Sequence, residues 1–447
     1  MKLFRTQIPG LIVFALLFAV TMVGEAGAQV RSRLVTPPAE VVQTDGVENP
    51  VVKKTSDVMP VLEEANIPGN SGVLFEALNG RPIVDSYSDY AFNPASNVKI
   101  ATAFAVLKVF GPEYRFVTNI WIDGTIDRET NTLNGNVYIS GRDPMFGFEH
   151  AVTVARELNR MGVINVNGNL IVTENFSMNA SASAVQSAGS LFSTLNSSTR
   201  SAAASRAWSS FLSLTGLPDD GTIPTVIFTG KASVDALPST TALLFSHESV
   251  PLRDIVKDNL SFSTNPLSER LGALVGGPQA IARLVQQHTG VSAKDFSIQT
   301  ASGLGVNRVT PRAMMKLLRV LRDDLARFDM TFADIMPVAS VDRGTLAGRF
   351  GGPMRGSVAG KTGTLGITDS GVSSLAGEMN TKNGPVLFVI FNQRGSVPRF
   401  RSFQNAYVTS ILEQEGGPVP MRYTPSLMAT RLVRSRVIYP TAIAANN

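Results

Sequence analysis

The sequence predicts a mixed α/β (α+β) protein in which helices pack on an antiparallel sheet and a smaller α/β unit interrupts the chain. Three observations carry this expectation. Residues Ser96–Phe110 read as a helix that is apolar on nearly every face, as expected of a helix buried in the middle of a domain. The runs Ser357–Thr364, Val372–Glu378 and Val386–Asn392 read as strands separated by short turns containing Asp369-Ser370-Gly371 and Asn383-Gly384, an antiparallel meander. Residues 116–175 read as a smaller α/β unit. At 447 residues, 44% hydrophobic and 17% charged, the chain has material for two or three domains and a proper core.

In chain order, Lys2 and Arg5 precede an apolar stretch from Ile8 to Val23, and Ala26-Gly27-Ala28 is a small-residue cleavage site. This is the pattern of a secretory signal, with a mature chain beginning at about Gln29. The run is short for a transmembrane helix, and an uncleaved anchor is the alternative. Residues 29–60 are polar, with four prolines, and read as a leader. Val73–Leu78 reads as a strand and Asn79-Gly80 as a tight turn. Pro94 opens the Ser96 helix and Gly111-Pro112 stops it. Within 116–175, Val137–Ile139 and Asn169–Val172 are strands around a helix at Ala151–Met161. Residues 177–206, rich in Ser, Ala and Asn, read as an exposed loop. Ile223–Phe228 reads as a further strand. Helical spacing returns at Leu252 and covers Pro266–Val275, Pro278–His288 and Pro311–Arg322, with a last helix at Phe400–Glu413. Past Glu415 no acidic residue remains, while Arg422, Arg431, Arg434 and Arg436 cluster. This end reads first as a solvated flexible tail and second as a wall- or membrane-binding patch.

The absence of cysteine excludes disulfides, a thiol nucleophile, Cys-based zinc sites and a lipidated N-terminus. A formal charge of +5, mostly spread out, suits an anionic surface but is no nucleic-acid signature.

The chemistry sits in three motifs. Ser96-Asn97-Val98-Lys99 is the sole S-x-x-K, Lys361-Thr362-Gly363-Thr364 carries the sole K-T-G, and Ser263-Thr264-Asn265 lies between them. Residues three apart on a helix share a face, so the Lys99 amine can reach the Ser96 hydroxyl. A serine needs a base to become a nucleophile. A lysine is that base at neutral pH only where desolvation or a second cation lowers its pKa from about 10.4. A buried apolar helix supplies the first, and Lys361 is the second cation. The Ser96 N–H at a helix start suits one half of an oxyanion hole, with the other donor coming from the strand that holds Thr364. Alone, each motif has a plainer reading: S-x-x-K arises by chance, K-T-G can end a strand, and Ser263-Thr264-Asn265-Pro266 can simply start a helix. Their order and contexts favour chemistry. His150, His247 and His288 form no H-E-x-x-H, and G-x-S-x-G, P-loop and dinucleotide patterns are missing, so no metal or cofactor is called for.

The motif triple is that of penicillin-binding proteins and class A β-lactamases. The flanking residues resemble D-Ala-D-Ala carboxypeptidases of the penicillin-binding protein 4 type, class C. They include Gly111–Phe116, Gly135–Tyr138, Gly141-Arg142-Asp143-Pro144, His247–Leu252, Ser302-Gly303-Leu304, Asn307–Arg312, Gly344-Thr345-Leu346 and Gly360–Leu365. The likeness covers about residues 60–415. It implies a serine D,D-peptidase/β-lactamase-like domain, with a five-stranded antiparallel sheet and helices on both faces, at 61–115 and 246–415. A signal peptide at 1–28, a leader at 29–60, an inserted domain at 116–245 and a basic tail at 416–447 complete the expected organisation.

The resemblance also implies roles. Ser96 would be acylated, Lys99 would be its base, and Ser263 would pass a proton to the leaving amine. Asn265 would hold the substrate amide, Lys361 and Thr362 would bind the terminal carboxylate, and the Ser96 and Thr364 N–H groups would form the oxyanion hole. The substrates would be peptidoglycan stem peptides outside the cytoplasm, with β-lactams as covalent inhibitors. Thr264 stands where Asp or Asn is usual, followed by Pro266, and the family's Asp-Gly-Ser-Gly-Leu-Ser appears as Thr300–Gly305 without its acid or last serine. The Ser96-to-Ser263 span has room for one insert, the second being reduced to the Ser/Ala-rich loop. The rival readings are a catalytically weak wall-binding protein that keeps the fold, and a β-lactamase, for which no motif places a deacylating Glu.

Overall fold

The computed structural model describes residues 70–217 and 221–440. The expected signal peptide and leader lie outside the described residues. The first strand, β1 (Asn70–Ala77), turns at Asn79-Gly80 into β2 (Pro82–Ser86). A short 3₁₀ turn, Ala95–Asn97, leads into α1 (Val98–Phe110). The chain then builds β3 (Val117–Ile122), β4 (Val137–Gly141), α2 (Phe148–Arg160), β5 (Leu170–Val172), α3 (Ala184–Leu195), α4 (Ala202–Thr215), β6 (Ala232–Val234) and β7 (Ala242–Glu248). It returns through α5 (Leu252–Phe262), α6 (Asn265–Leu274), α7 (Gly277–Thr289) and α8 (Pro311–Ala326). The meander β8 (Val358–Leu365), β9 (Val372–Thr381) and β10 (Gly384–Gln393) precedes α9 (Val397–Gln414) and a last strand, β11 (Arg436–Ile438).

A five-stranded antiparallel sheet in the order β8-β9-β10-β1-β2 is buried on both faces. Alternation along β10 divides the core: Leu387, Val389 and Phe391 face α1, α5, α7 and α8, whereas Val386, Phe388 and Ile390 pack with Tyr407, Val408, Ile411 and Leu412 of α9. Two apolar faces explain why the central strands read as nearly continuous hydrophobic runs. Helix α1 is buried at every position from Val98 to Leu107, which is why its sequence shows no polar face.

A second sheet runs β6-β5-β4-β3-β7-β11, parallel on its β6-β5-β4 side and antiparallel beyond. Its junction with the rest is two strands of chain side by side: Phe116 N–H donates to Ser249 Oγ (2.9 Å), Leu252 N–H to Tyr114 O (2.8 Å) and Arg253 N–H to Pro112 O (2.9 Å). The Gly111–Phe116 and His247–Leu252 segments of the resemblance are this neck.

Three expectations are corrected. Residues 177–206 do not form an exposed loop: α3 and the first turn of α4 lie there. Alanine favours helix, and Ser183 and Ser201 cap the two starts by accepting from Gln186 N–H and Ala204 N–H, so a low-complexity composition here encodes helices. Within Ile223–Phe228 only Ile227–Phe228 pairs as strand, since Pro224 has no N–H to give. The C-terminal segment up to residue 440 is not a free tail: β11 pairs with Ser246–Glu248, Arg431 meets Asp254 (3.3 Å) and Arg436 meets Glu248 (2.8 Å). Among the described residues no helix is long and apolar enough to cross a membrane.

Phe391 is fully buried between the sheet and the α1 layer. Phe391→Ala is expected to lower unfolding free energy by about 3–5 kcal/mol in urea titrations.

Candidate active site

Three pieces of chain converge at one end of the five-stranded sheet. The first is the turn before α1. Ala95 has a left-handed φ of 47°, a conformation that costs a non-glycine residue on the order of 1 kcal/mol. The buried Asn93 holds the turn in place: its Oδ1 accepts from Ala95 N–H (3.0 Å), and its Nδ2 donates to Gly305 O (2.9 Å) and Asp369 Oδ2 (2.7 Å). Asp369 in turn takes two bonds from Arg308 (2.8 and 3.0 Å). Ser96 is thus fixed before the helix begins.

Lys99, one turn into α1, is fully buried. Its Nζ lies 3.1 Å from Ser96 Oγ and donates to Asn265 Oδ1 (2.7 Å) and Ser302 O (2.7 Å). Burial pulls its pKa down to about 8 against the opposing pull of Glu269. A neutral amine has two N–H groups and one lone pair. With both N–H groups held by carbonyl oxygens, the lone pair is left for the Ser96 hydroxyl.

The second piece is the α5–α6 junction. Ser263 ends α5 in a left-handed conformation (φ 60°, ψ 40°), and α6 starts at Asn265. Thr264 makes no capping bond with its side chain, and its carbonyl accepts from Ser268 Oγ (2.9 Å). The unusual residue in the middle motif therefore leaves Ser263 and Asn265 in place. Pro266 fits the first turn of α6, where its missing N–H is not needed.

The third piece is the edge strand β8. Lys361 is fully buried and donates to Ser263 Oγ (2.9 Å) and Thr362 O (2.7 Å). Burial and the neighbouring Lys99 ammonium push its pKa well below the usual lysine value. Gly363 lets β8 run against the Ser96 turn: a Cβ there would lie 2.1 Å from Ser374 Oγ, 2.8 Å from Pro94 O and 2.9 Å from Ser96 N. Ser374, its partner on β9, donates to Pro94 O (2.7 Å).

Ser96, Ser263, Asn265, Thr362, Gly363 and Thr364 open on one cleft of about 640 Å³. Lys99 and Lys361 lie beneath it. All seven residues expected from the sequence therefore gather at one place. Arg349 and Arg401 also line the cleft and meet no carboxylate among the described residues. Arg401 donates to Thr364 Oγ1 (2.9 Å), and Arg349 bonds Asn405 (2.7 Å) and Gln404 (3.2 Å). Neither carried a sequence signal, because each reaches the site through long-range packing. The Thr300–Gly305 turn is held by side chains that bond its backbone. Thr102 Oγ1 donates to Ala301 O (2.7 Å), and Gly303, at φ +88°, abuts the Ser96 turn.

The histidines stay out of the cleft. His150 and His247 face each other with ring centroids 4.6 Å apart beside Phe146, and His288 packs edge-on to Phe104.

A Cβ at Gly303 would lie 1.9 Å from Ala95 O. Gly303→Ala is expected to displace the Ser96 turn and reduce covalent labelling by a fluorescent penicillin about 100-fold, with the melting transition retained.

The chain is similar to known proteins. A D-alanyl-D-alanine carboxypeptidase from Actinomadura sp. strain R39 is 24% identical over 512 aligned positions, covering 89% of this chain and 93% of that protein. The D-alanyl-D-alanine carboxypeptidase DacB of Haemophilus influenzae is 29% identical over 210 residues, a stretch that spans 43% of this chain and 40% of that protein. Among solved structures, the penicillin G-acylated predatory endopeptidase Bd3459 of Bdellovibrio bacteriovorus superposes with a TM-score of 0.70 at 24% identity, covering 83% of this chain and 99% of that one. Penicillin-binding protein 4 of H. influenzae superposes at 0.57 with 21% identity, covering 76% of this chain and 96% of that one. These likenesses show the fold. The sequence model of the D-Ala-D-Ala carboxypeptidase 3 (S13) family matches residues 54–189 and 196–410, and the chain belongs to that family of serine peptidases.

Proposed function

We propose that this protein is an exported D,D-peptidase that removes the terminal D-Ala of peptidoglycan stem peptides, and opens D,D cross-links by the same chemistry, through an acyl-enzyme at Ser96. The arrangement around Lys99 carries the reading. Its two N–H groups are engaged by Asn265 and Ser302, and its free electron pair is directed at a serine on a rigid turn.

In this reading the neutral Lys99 takes the Ser96 proton as Ser96 Oγ bonds to the D-Ala carbonyl carbon. The carbonyl electron pair is held as an oxyanion by the Ser96 and Thr364 N–H groups. As the C–N bond breaks, Ser263, bonded to Lys361, delivers a proton to the departing amine and takes up the one held by Lys99, which returns to the free amine. Water then attacks the ester, gives a proton back through Lys99, and frees Ser96. The substrate carboxylate would meet Lys361 and Thr362 and favour the charged form of the lysine. Asn265 would hold the substrate amide. β-Lactams would acylate the same serine. The catalytic domain is taken as 61–115 with 246–415 and the insert as 116–245. Residues 1–28 would direct export to the periplasm, and the exposed Arg422 and Arg434 would supply any peripheral wall or membrane contact.

The test incubates the mature chain with cross-linked muropeptides bearing pentapeptide stems and identifies products by mass spectrometry. Loss of D-Ala, or conversion of dimers to monomers, by the wild type alone is the expected result. No product from the folded wild type would favour a wall-binding role instead. Ser96→Ala and Lys99→Ala should each lower turnover by about 10⁴-fold or more.

Acylation requires the neutral form of Lys99. The rate is therefore low below its pKa and rises with pH through about 8. Lys361→Ala removes a partner of Ser263 and the group that would meet the carboxylate, so penicillin labelling between pH 6 and 10 should slow at every pH while the rise stays at about 8.

A further inference from the structure

Lys99 depends on a carbonyl, that of Ser302, whose own position is set by a residue outside the three motifs. Ser302 and Ala301 are buried, and both backbone N–H groups are taken by the carboxylate of Glu269: Ser302 N–H by Oε1 (2.9 Å) and Ala301 N–H by Oε2 (3.2 Å). Glu269 is exposed and stands one helical turn beyond Asn265 on α6. One short helix therefore supplies both acceptors of Lys99, Asn265 directly and Ser302 through Glu269. Gly272, a further turn along less one residue, allows the close approach, since a Cβ there would lie 2.3 Å from Ala301 Cβ. The turn that Glu269 holds is the one whose usual acid and last serine are missing from this chain.

We infer that Glu269 is a positioning residue for the acyl transfer: its carboxylate holds the Ala301-Ser302 backbone so that the Ser302 carbonyl orients the Lys99 amine, and its charge biases the protonation of that amine. The inference rests on the D,D-peptidase reading. The charge that acts on Lys99 is Glu269 from α6; Lys361 on β8 is held toward its neutral form by burial and by Lys99 itself, and the other neighbours, Ser96, Asn265 and the Ser302 carbonyl, are neutral. Glu269 favours the ammonium in two ways, through its negative charge and through the carbonyl it presents. Removing the charge therefore favours the free amine. Its exposure means that salt screens the charge effect and leaves the positioning effect.

The experiment measures the second-order rate of acylation by a fluorescent penicillin from pH 5.5 to 9.5, at low and high salt. It uses the full chain as wild type, Glu269→Gln and Glu269→Asp, with thermal melts alongside. In Glu269→Gln the plateau rate should fall about tenfold. At low salt its rate at pH 7, relative to its own plateau, should rise about twofold, as a displacement of about 0.3 pKa unit gives. Glu269→Asp keeps the charge with a shorter reach, so its plateau should fall while its profile stays nearer the wild type. A Glu269→Gln profile that coincides with the wild type overturns the inference. So does a lower plateau with an unmoved acid limb, which is what mere structural support would give. Should Glu269→Gln fail to melt as a folded chain, Glu269→Asp decides, and a wild-type plateau there overturns it. A folded wild type that is not acylated at any pH overturns the D,D-peptidase reading itself.

Discussion

Everything in this site follows from placing two lysine side chains where water is scarce. An ammonium moved from water into a protein interior loses hydration that only good partners replace. Lys99 and Lys361 are both fully buried, which gives each reason to give up its proton, and the Lys99 charge adds to the effect on Lys361. An ordinary surface lysine would be useless as a base at neutral pH. Here the fold's main product, a core closed around α1, is also what lowers the Lys99 pKa, as the proposed role of a base requires.

The rest of the architecture serves that constraint. Helix α1 must be buried all round to desolvate Lys99, and this requires helices on one side and a sheet on the other. The polar atoms of the buried site must then be satisfied from elsewhere in the chain: Asn265 and Ser302 for Lys99, Ser263 and Thr362 for Lys361. Two residues adopt left-handed backbone to deliver these groups, Ala95 before Ser96 and Ser263 at the end of α5. Strain of this kind persists where surrounding contacts over-determine it. The Asn93 bonds to Gly305 and Asp369 and the Lys361 bond to Ser263 are such contacts.

Much of this was legible in the sequence because it is written locally. The all-apolar run after Ser96 reports burial directly, and the meander is marked by apolar runs between turn residues. Ser96 and Lys99 are neighbours by helical spacing alone. The bond between Lys361 and Ser263 joins residues 98 apart and has no local trace. Motif order suggested it, but only the folded chain gives it a length. Helix α3 and the first turn of α4 fall in a stretch whose repetitive Ser and Ala composition reads as loop, although alanine's helix propensity and the two serine caps point the other way. Strand β11 is three residues long and is made by pairing with β7, which no window of its own sequence could reveal. Glu269 was within reach, since it lies four residues after Asn265 and so shares its helical face, yet its role appears only when the 300–305 turn is seen against α6.

The central claim is that the fold desolvates Lys99 enough to give it a substantial fraction of free amine near neutral pH. Lysine-selective ¹³C labelling of the whole chain, with the Lys99 resonance assigned by its loss in Lys99→Arg, measures this directly. The account predicts a side-chain titration centred near about 8. A Lys99 signal that titrates at the ordinary lysine value of about 10.4 would contradict it, because the base would then be protonated whenever the enzyme is at work.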